Sequence, residues 1–315
     1  MSDSNHLWAL VLAAGDGRRL QGLTTMGGGI PVPKQFCSLE LGPSLLQEAI
    51  ARAAAAVAPE RICAIVAARH RRWWADHLDA LLPENVIVQP QNRGTANGIL
   101  LPLLTILDRD PQARILLLPS DHCVREERRL AGALRYAAFP PEAASAEIIL
   151  LGLEPRSPDP QLGYIVPRLE RVRAHHGVAQ FVEKPDPACA RRLLEQGALW
   201  NTFIFAADGA ALLKLFERRC PLIVAAMREA MRVAGGAGNS DEPLAALYDT
   251  LPELDFSRSI LQGQEQHLRV LPVADCGWSD LGTPERVAEA LGERPQPVRR
   301  LMPAPSRRSA FLSLA

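Results

Sequence analysis

No apolar run in this 315-residue chain is long enough to cross a bilayer. The best candidate, Ile99 to Leu107, stops at Asp108-Arg109-Asp110, well short of the ~20 residues a spanning helix needs. The start, Met1-Ser2-Asp3-Ser4-Asn5-His6, has neither a basic region nor an apolar core, so no secretory leader is expected and the cytoplasm is the default location. Net charge is missing too: 35 acidic and 35 basic side chains cancel, which gives no reason to expect a nucleic-acid partner. The six cysteines, at 37, 63, 123, 189, 220 and 276, form no Cys-x-x-Cys pair and have no nearby His-x-x-x-His. Structural zinc and a redox dithiol are therefore not expected, and the cysteines read as reduced packing residues. Aromatics make up 5% of the chain against 48% hydrophobic, a balance that suits an aliphatic α/β core.

What is present is concentrated near the start. Leu7 to Ala13 is apolar enough to be a buried parallel strand, and it runs into Ala14-Gly15-Asp16-Gly17-Arg18-Arg19-Leu20 and later Pro33-Lys34-Gln35-Phe36. The glycines thus fall at the carboxyl end of a strand, where open α/β sheets bind ligands. Gly15 and Gly17 let backbone N–H groups approach an anion, and Arg19 and Lys34 supply charge against phosphate oxygens. The loop suits a polyphosphate, although an ordinary tight turn is the competing reading. A Walker loop would need Gly-Lys-Ser/Thr at its end, and a dinucleotide fingerprint a third glycine where Leu20 stands. The chain passes between these two segments through Met26-Gly27-Gly28-Gly29-Ile30-Pro31-Val32.

Strand-like runs then alternate with helical patterns: Ser44–Val57, Arg61–Ala67, Arg71–Leu82, Asn85–Gln89, Thr95–Leu107 and Arg114–Leu118. This predicts an α/β fold with a doubly wound, mostly parallel sheet. After Glu147–Leu153 come shorter strands near Tyr164–Pro167 and Gly177–Val182, helices near Pro187–Gln196 and Ala207–Arg218, and a strand at Asn201–Phe205. Leu268–Val273 reads as a late strand, Pro284–Leu291 as a closing helix, and 293–315 as a proline- and arginine-rich tail of doubtful order. Gly235 to Ser240 reads as a loop between helices. Asp121 in Pro119-Ser120-Asp121-His122 lies just past a buried-strand run, where a carboxylate can ligate Mg²⁺ that bridges phosphates. Its alternative is to cap a helix starting near Arg125. Glu183-Lys184 is open to a plain reading as a surface turn.

The glycine motif with Pro33-Lys34-Gln35-Phe36 resembles the signature of sugar-phosphate nucleotidyltransferases, and its Lys-Gln-Phe ending looks most like mannose-1-phosphate guanylyltransferases. Further blocks agree in order: Gln89 to Ala96, Pro119 to His122, Gly163-Tyr164-Ile165, Phe181 to Pro185, Trp200-Asn201 and Trp278 to Thr283. The resemblance runs from about residue 7 to about 291 and implies a Rossmann-like nucleotidyltransferase domain over 1–292. Its nucleotide part would take about 1–153 and its smaller sugar-phosphate part about 154–292.

By this resemblance Ala13, Ala14, Gly15, Gly17, Arg19, Lys34, Gln91, Thr95 and Ala96 take the nucleotide, and Gly163, Glu183, Lys184 and Asn201 the sugar phosphate. Glu183 would accept from sugar hydroxyls and Lys184 would meet the phosphate. Asp280 joins Asp121 as the second Mg²⁺ ligand, with Thr283 capping the next helix ahead of Pro284. Asn97 and Phe203 depart from the family pattern, which more often has proline and glycine there. His122 reads as structural or as a phosphate neighbour.

The implied activity is transfer of GMP from GTP to mannose 1-phosphate by in-line attack, with Arg19, Lys34, Asp121, Lys184 and Asp280 as the catalytic set. The same reaction on another hexose 1-phosphate and nucleotide, or a non-catalytic nucleotide-sugar sensor, are the alternatives. A NAD-dependent dehydrogenase is disfavoured by the missing third glycine. The tail is too short for a second catalytic domain, so a single activity is expected. A homodimer is open to such a chain.

Overall fold

The computed structural model describes residues 3–25, 29–40, 42–140, 148–168, 174–235, 241–292 and 301–304. Along the chain the elements are β1 (Leu7–Ala13), α1 (Gln21–Thr24), β2 (Cys37–Ser38), α2 (Leu45–Ala54), β3 (Ile62–Ala67), α3 (Arg71–Trp74), β4 (Val86–Gln89), α4 (Gly94–Arg109) and β5 (Arg114–Pro119). They continue with α5 (Glu127–Ala138), β6 (Ile148–Leu153), β7 (Tyr164–Pro167), β8 (His176–Val182), α6 (Pro187–Glu195), β9 (Leu199–Asp208), α7 (Gly209–Arg219), α8 (Pro221–Ala234) and α9 (Glu242–Thr250). β10 (Leu268–Val273), α10 (Pro284–Ala290) and β11 (Met302–Pro303) complete the order. No helix among the described residues is long and apolar enough to cross a membrane.

Helix starts follow local chemistry. Ser44 accepts from the Gln47 amide while the Gln47 side chain accepts from the Ser44 amide, a reciprocal cap on α2. Asp186 and Asp208 cap α6 and α7 through their own carboxylates, with proline at the first position of α6. Thr283 caps α10 ahead of Pro284. The helix expected over Arg71–Leu82 is shorter: α3 ends at Trp74, and His77 and Leu81 close i,i+3 turns onto Trp74 and Leu78. Trp74 Nε1 donates to the Ala67 carbonyl at 2.9 Å, which pins that turn to the end of β3.

Contacts group the chain into two units that interleave in sequence. One holds 9–92, 118–127 and 276 onward; the other holds 1–8, 93–117 and 128–275. In the first, β3 lies between β1 and β4 with every pair parallel, Ala9 opposite Ile62 and Ala64 opposite Val86. All six residues of β3 are buried, so this central strand is covered on both faces, as the strands of parallel sheets generally are, whereas Val88 of the neighbouring β4 is exposed. In the second, β9 runs antiparallel to both β5 and β6. β6 is parallel to β10, β8 is antiparallel to β10, and β7 pairs antiparallel with both β8 and β9. Leu100, Leu103 and Leu104 of α4 are at most 3% exposed, each a contribution of roughly 1.5–3 kcal/mol from burial.

The α/β class expected from the sequence is the class observed, and the antiparallel pairings concentrate in the second unit. Within the tail, Met302 pairs with Ser38 and Pro303 with Cys37. Met26-Gly27-Gly28, 236–240, which the sequence suggests as a loop, 293–300 and 305–315 lie outside the described residues.

Candidate active site

The loop leaving β1 is held from two directions. The Gln35 amide donates to the carbonyls of Ala13 at 3.0 Å and Gly15 at 2.8 Å, and the Ser120 amide donates to the Leu12 carbonyl at 3.1 Å. Gly17 has φ +61, and a Cβ placed there would sit 2.9 Å from the Lys34 amide nitrogen. Glycine is required on both counts, conformation and space. Asp16 turns away, toward Arg69 and His70.

Lys34 is 4% exposed, and its ammonium directs donors at three oxygens. They are the Asp280 carbonyl at 2.7 Å, the Leu281 carbonyl at 3.3 Å and Asp121 Oδ2 at 3.0 Å. Leu281 takes a left-handed φ of +48 at 0% exposure, a costly conformation for a leucine. Asp280 Oδ1 accepts from the Gly282 amide at 3.1 Å and pairs with the Arg286 guanidinium. A Cβ at Gly282 would lie 2.5 Å from Asp280 Oδ2 and 3.2 Å from an Arg19 nitrogen, so Arg19 reaches the same spot.

The Asp121 and Asp280 segments are joined side by side. Cys123 and Ser279 exchange two backbone hydrogen bonds of 2.9 Å. Asp121 does not cap a helix, because α5 begins only at Glu127. Burial would push the Asp121 carboxyl up, but Lys34 foremost, with His122 and Arg19, holds it below the usual carboxylate range. Burial likewise opposes ionisation of Asp280 and is outweighed by His122, Arg286 and the Gly282 amide. Burial, with the Lys34 and Arg52 charges, drives His122 down to about 4 despite Asp121 and Asp280, so its imidazole is neutral near pH 7.

Two ionised carboxylates are hard oxygen donors of the kind Mg²⁺ takes, and Asp121 is 42% exposed. Among the described residues no group of three or more His, Cys, Asp or Glu is placed to hold a metal. Asp121 and Asp280 are two carboxylates on segments joined side by side, a donor set of the hard-oxygen kind that suits an ion keeping several of its waters.

The second unit holds the other predicted set. A Cβ at Gly163 would lie 2.6 Å from Glu183 Oε2 and 3.3 Å from Asn201 Cβ, and the Asn201 amide donates to the Gly163 carbonyl at 2.8 Å. Lys184, at φ +48, places its ammonium 3.1 Å from Glu183 Oε1. Burial raises the Glu183 carboxyl, against the pull of Lys184. Phe203 has φ +61, its amide donates to Asn201 Oδ1 at 3.1 Å, and its ring meets Phe256 edge-on at 5.9 Å.

Thr95 and Ala96 open α4 in this second unit, and segment 254–256 occupies them. Ala96 donates to the Leu254 carbonyl at 3.0 Å, and Thr95 Oγ1 accepts from Phe256 at 2.8 Å. Asn97, where proline is usual, donates to the carbonyls of Arg93 and Pro252. Gln91 lies just beyond β4 in the first unit. Ala13, Ala14, Gly15, Gly17, Arg19, Lys34, Asp121 and Asp280 are gathered in the first unit, and Gly163, Glu183, Lys184 and Asn201 in the second. Sequence reasoning gave no role to Gln35, Ser120, Trp278 or Arg286. The first three lie inside recognised blocks, whereas Arg286 had no signal beyond its place in α10.

Carboxylates and cations around a glycine loop at the end of a parallel strand define an α/β phosphate-handling fold. A family model described as nucleotidyl transferase matches residues 8–294, and the chain belongs to that family. It is 30% identical over 286 residues to a mannose-1-phosphate guanylyltransferase of Escherichia coli K12, covering 88% of this chain and 58% of that protein. It is also 30% identical over 300 residues to mannose-1-phosphate guanylyltransferase ManC of Salmonella typhimurium LT2, covering 92% and 60%. The chain thus spans about three-fifths of the length of these curated relatives. A crystal structure described as a mannose-1-phosphate geranyltransferase from Thermus thermophilus superposes with a TM-score of 0.76 at 28% identity, covering 92% of this chain and 80% of the other.

Proposed function

We propose that the protein transfers a nucleoside monophosphate from a nucleoside triphosphate to a hexose 1-phosphate and releases pyrophosphate, with GTP and mannose 1-phosphate the preferred pair. The observation that carries this reading is the gathering of Arg19, Lys34, Asp121 and Asp280 about the glycine loop. The names of the relatives favour the guanosine and mannose choice. Attack runs in line, from a sugar-phosphate oxygen onto the α-phosphorus. That oxygen is already ionised at neutral pH, so no side chain need act as base and no covalent enzyme intermediate forms. The task left to the chain is to align two anions and offset charge that builds on the transferred group.

Ala13, Ala14, Gly15 and Gly17 line the triphosphate, with Arg19 and Lys34 giving it charge and Gln91, Thr95 and Ala96 nearer base and ribose. Gly163, Glu183 and Asn201 receive the sugar, and Lys184 its phosphate. Asp121 and Asp280 would hold Mg²⁺, which when bound supplies charge to draw the two phosphates together. Residues 1–292 form the catalytic domain in this reading, working in the cytoplasm where nucleoside triphosphates are abundant.

Pyrophosphate release from mannose 1-phosphate, Mg²⁺ and each triphosphate in turn, with Asp121→Ala alongside, tests it. Release with GTP that is lost in Asp121→Ala is expected. Release with another nucleotide would replace the specificity, and silence across a panel of sugar 1-phosphates would leave a nucleotide-sugar sensor.

A further inference from the structure

On the side of the glycine loop to which Asp16 turns, the first unit has a cavity of about 290 Å³, near the lower limit of size for pockets that take organic ligands. Asp16, Arg69, Arg72 and Trp73 line it, with Pro31 and Pro33 from the segment that leads into Lys34. None of these side chains meets substrate in the reaction proposed above. The charges in the cavity do not balance. Arg69 is paired with Asp16, whereas Arg72 lies over the Trp73 ring, its Cζ 4.8 Å from the centroid, and is paired with no carboxylate among the described residues. His70, also in the wall, is lowered to about 4 by burial and by Arg69 and Arg72, so it adds no charge at neutral pH. Two guanidinium groups thus face one carboxylate. A guanidinium offers a planar fork of donors that matches phosphate oxygens. Stacking on an aromatic face holds Arg72 in place before a ligand arrives, which reduces the ordering cost of binding. Trp73 and the two prolines supply a flat apolar wall beside this charge.

We propose that the cavity is an effector site for a small phosphate monoester, which sets its phosphate on Arg69 and Arg72, displaces Asp16 from Arg69 and so weakens nucleotide binding. Asp16 stands between Gly15, whose carbonyl accepts from the Gln35 amide, and Gly17, which packs on the Lys34 amide. The pair with Arg69 ties this loop to the residues that follow β3. An anion that takes Arg69 releases the tie, and the loop no longer holds one form. The inhibitory half of the inference rests on the reading of this loop as the triphosphate loop, and the binding half stands without it.

Binding is tested first, by calorimetry with inorganic phosphate and with glucose 6-phosphate, a monoester whose phosphate is not on the anomeric carbon. Arg72 is exposed, so Arg72→Ala keeps the fold. Glucose 6-phosphate should bind wild type more tightly than inorganic phosphate does, bind Arg72→Ala about tenfold less tightly, the loss expected for a hydrogen bond to a charged group, and bind Asp16→Asn more tightly. Absence of binding, equal affinity for inorganic phosphate, or an affinity unchanged in Arg72→Ala overturns the proposal. In the second arm, glucose 6-phosphate is added to the pyrophosphate-release assay. KM for GTP should rise about fivefold or more and then level off, the usual scale of coupling between two sites. Asp16→Asn should bind the monoester without that response. A KM that climbs without a plateau, or a full response in Asp16→Asn, overturns the coupling. Wild-type protein that releases no pyrophosphate with any nucleotide overturns instead the proposed function, and the calorimetry still judges the site.

Discussion

Lys34 Nζ and Asp121 Oδ2 lie 3.0 Å apart, and the same ammonium is bonded to the carbonyls of Asp280 and Leu281. A single cation thus joins the glycine-loop segment to both carboxylate segments. Lys34→Met should lower kcat/KM by about 10²–10³, the usual loss for one positioned charge. The stability cost should be only about 2 kcal/mol, because Asp121 is partly solvated. Steady-state kinetics beside thermal melts measure both. A large fall in melting temperature with little change in kcat/KM would reverse the roles.

Gly163→Ala should act on the sugar alone. The new methyl would meet Glu183 Oε2 at 2.6 Å, and the buried carboxylate would have to swing off its position. We expect KM for the hexose 1-phosphate to rise about 10–100-fold, as when a buried polar contact is spoiled, with KM for the nucleotide little changed. An equal rise for both substrates would count against Glu183 as the sugar residue.

Gly17→Ala should strain the loop. At φ +61 an alanine costs about 1–2 kcal/mol in conformation alone, and its Cβ would press on the Lys34 amide. Nucleotide affinity should fall at least tenfold, measured by calorimetry, while sugar-phosphate affinity holds.

His70 supplies a pH dependence away from the carboxylates. Burial, with Arg69 and Arg72, lowers it to about 4, although Asp16 faces it at 3.7 Å. The folded state therefore binds this proton less readily than the unfolded chain does. The contribution of His70 is complete above about pH 6.5 and is lost as pH falls toward 4, by up to about 3 kcal/mol. Denaturant melts across that window should show the slope, and His70→Asn should flatten it. An unchanged slope would assign the dependence to other groups.

The parts legible in the sequence were those fixed by neighbouring residues. β7 and β10 fell within their predicted bounds, and α2 and α10 start at caps written locally in Ser44-x-x-Gln47 and Thr283-Pro284. What was hidden depends on residues far apart. The pairing of Cys123 with Ser279 joins positions more than 150 residues apart, and no local pattern announces it. Gln35 looked like one letter of a motif, whereas its amide shapes the loop through two carbonyls. Phe203 was marked as a departure from glycine, and its φ of +61 gives the reason glycine would suit that place. α3 was overestimated because apolar spacing continues past Trp74 while the backbone has already turned into i,i+3 closures.

The short β2–β11 pairing reaches further than its size suggests. Ala304 donates to the Phe36 carbonyl and Leu301 to that of Leu23, so residues late in the chain grip the loop on both sides of Lys34. Random mutagenesis scored by turnover should therefore find sensitive positions between 301 and 304 that touch no substrate. Their signature would be a fall in turnover, read by steady-state kinetics, from substitutions at positions remote in sequence from Lys34.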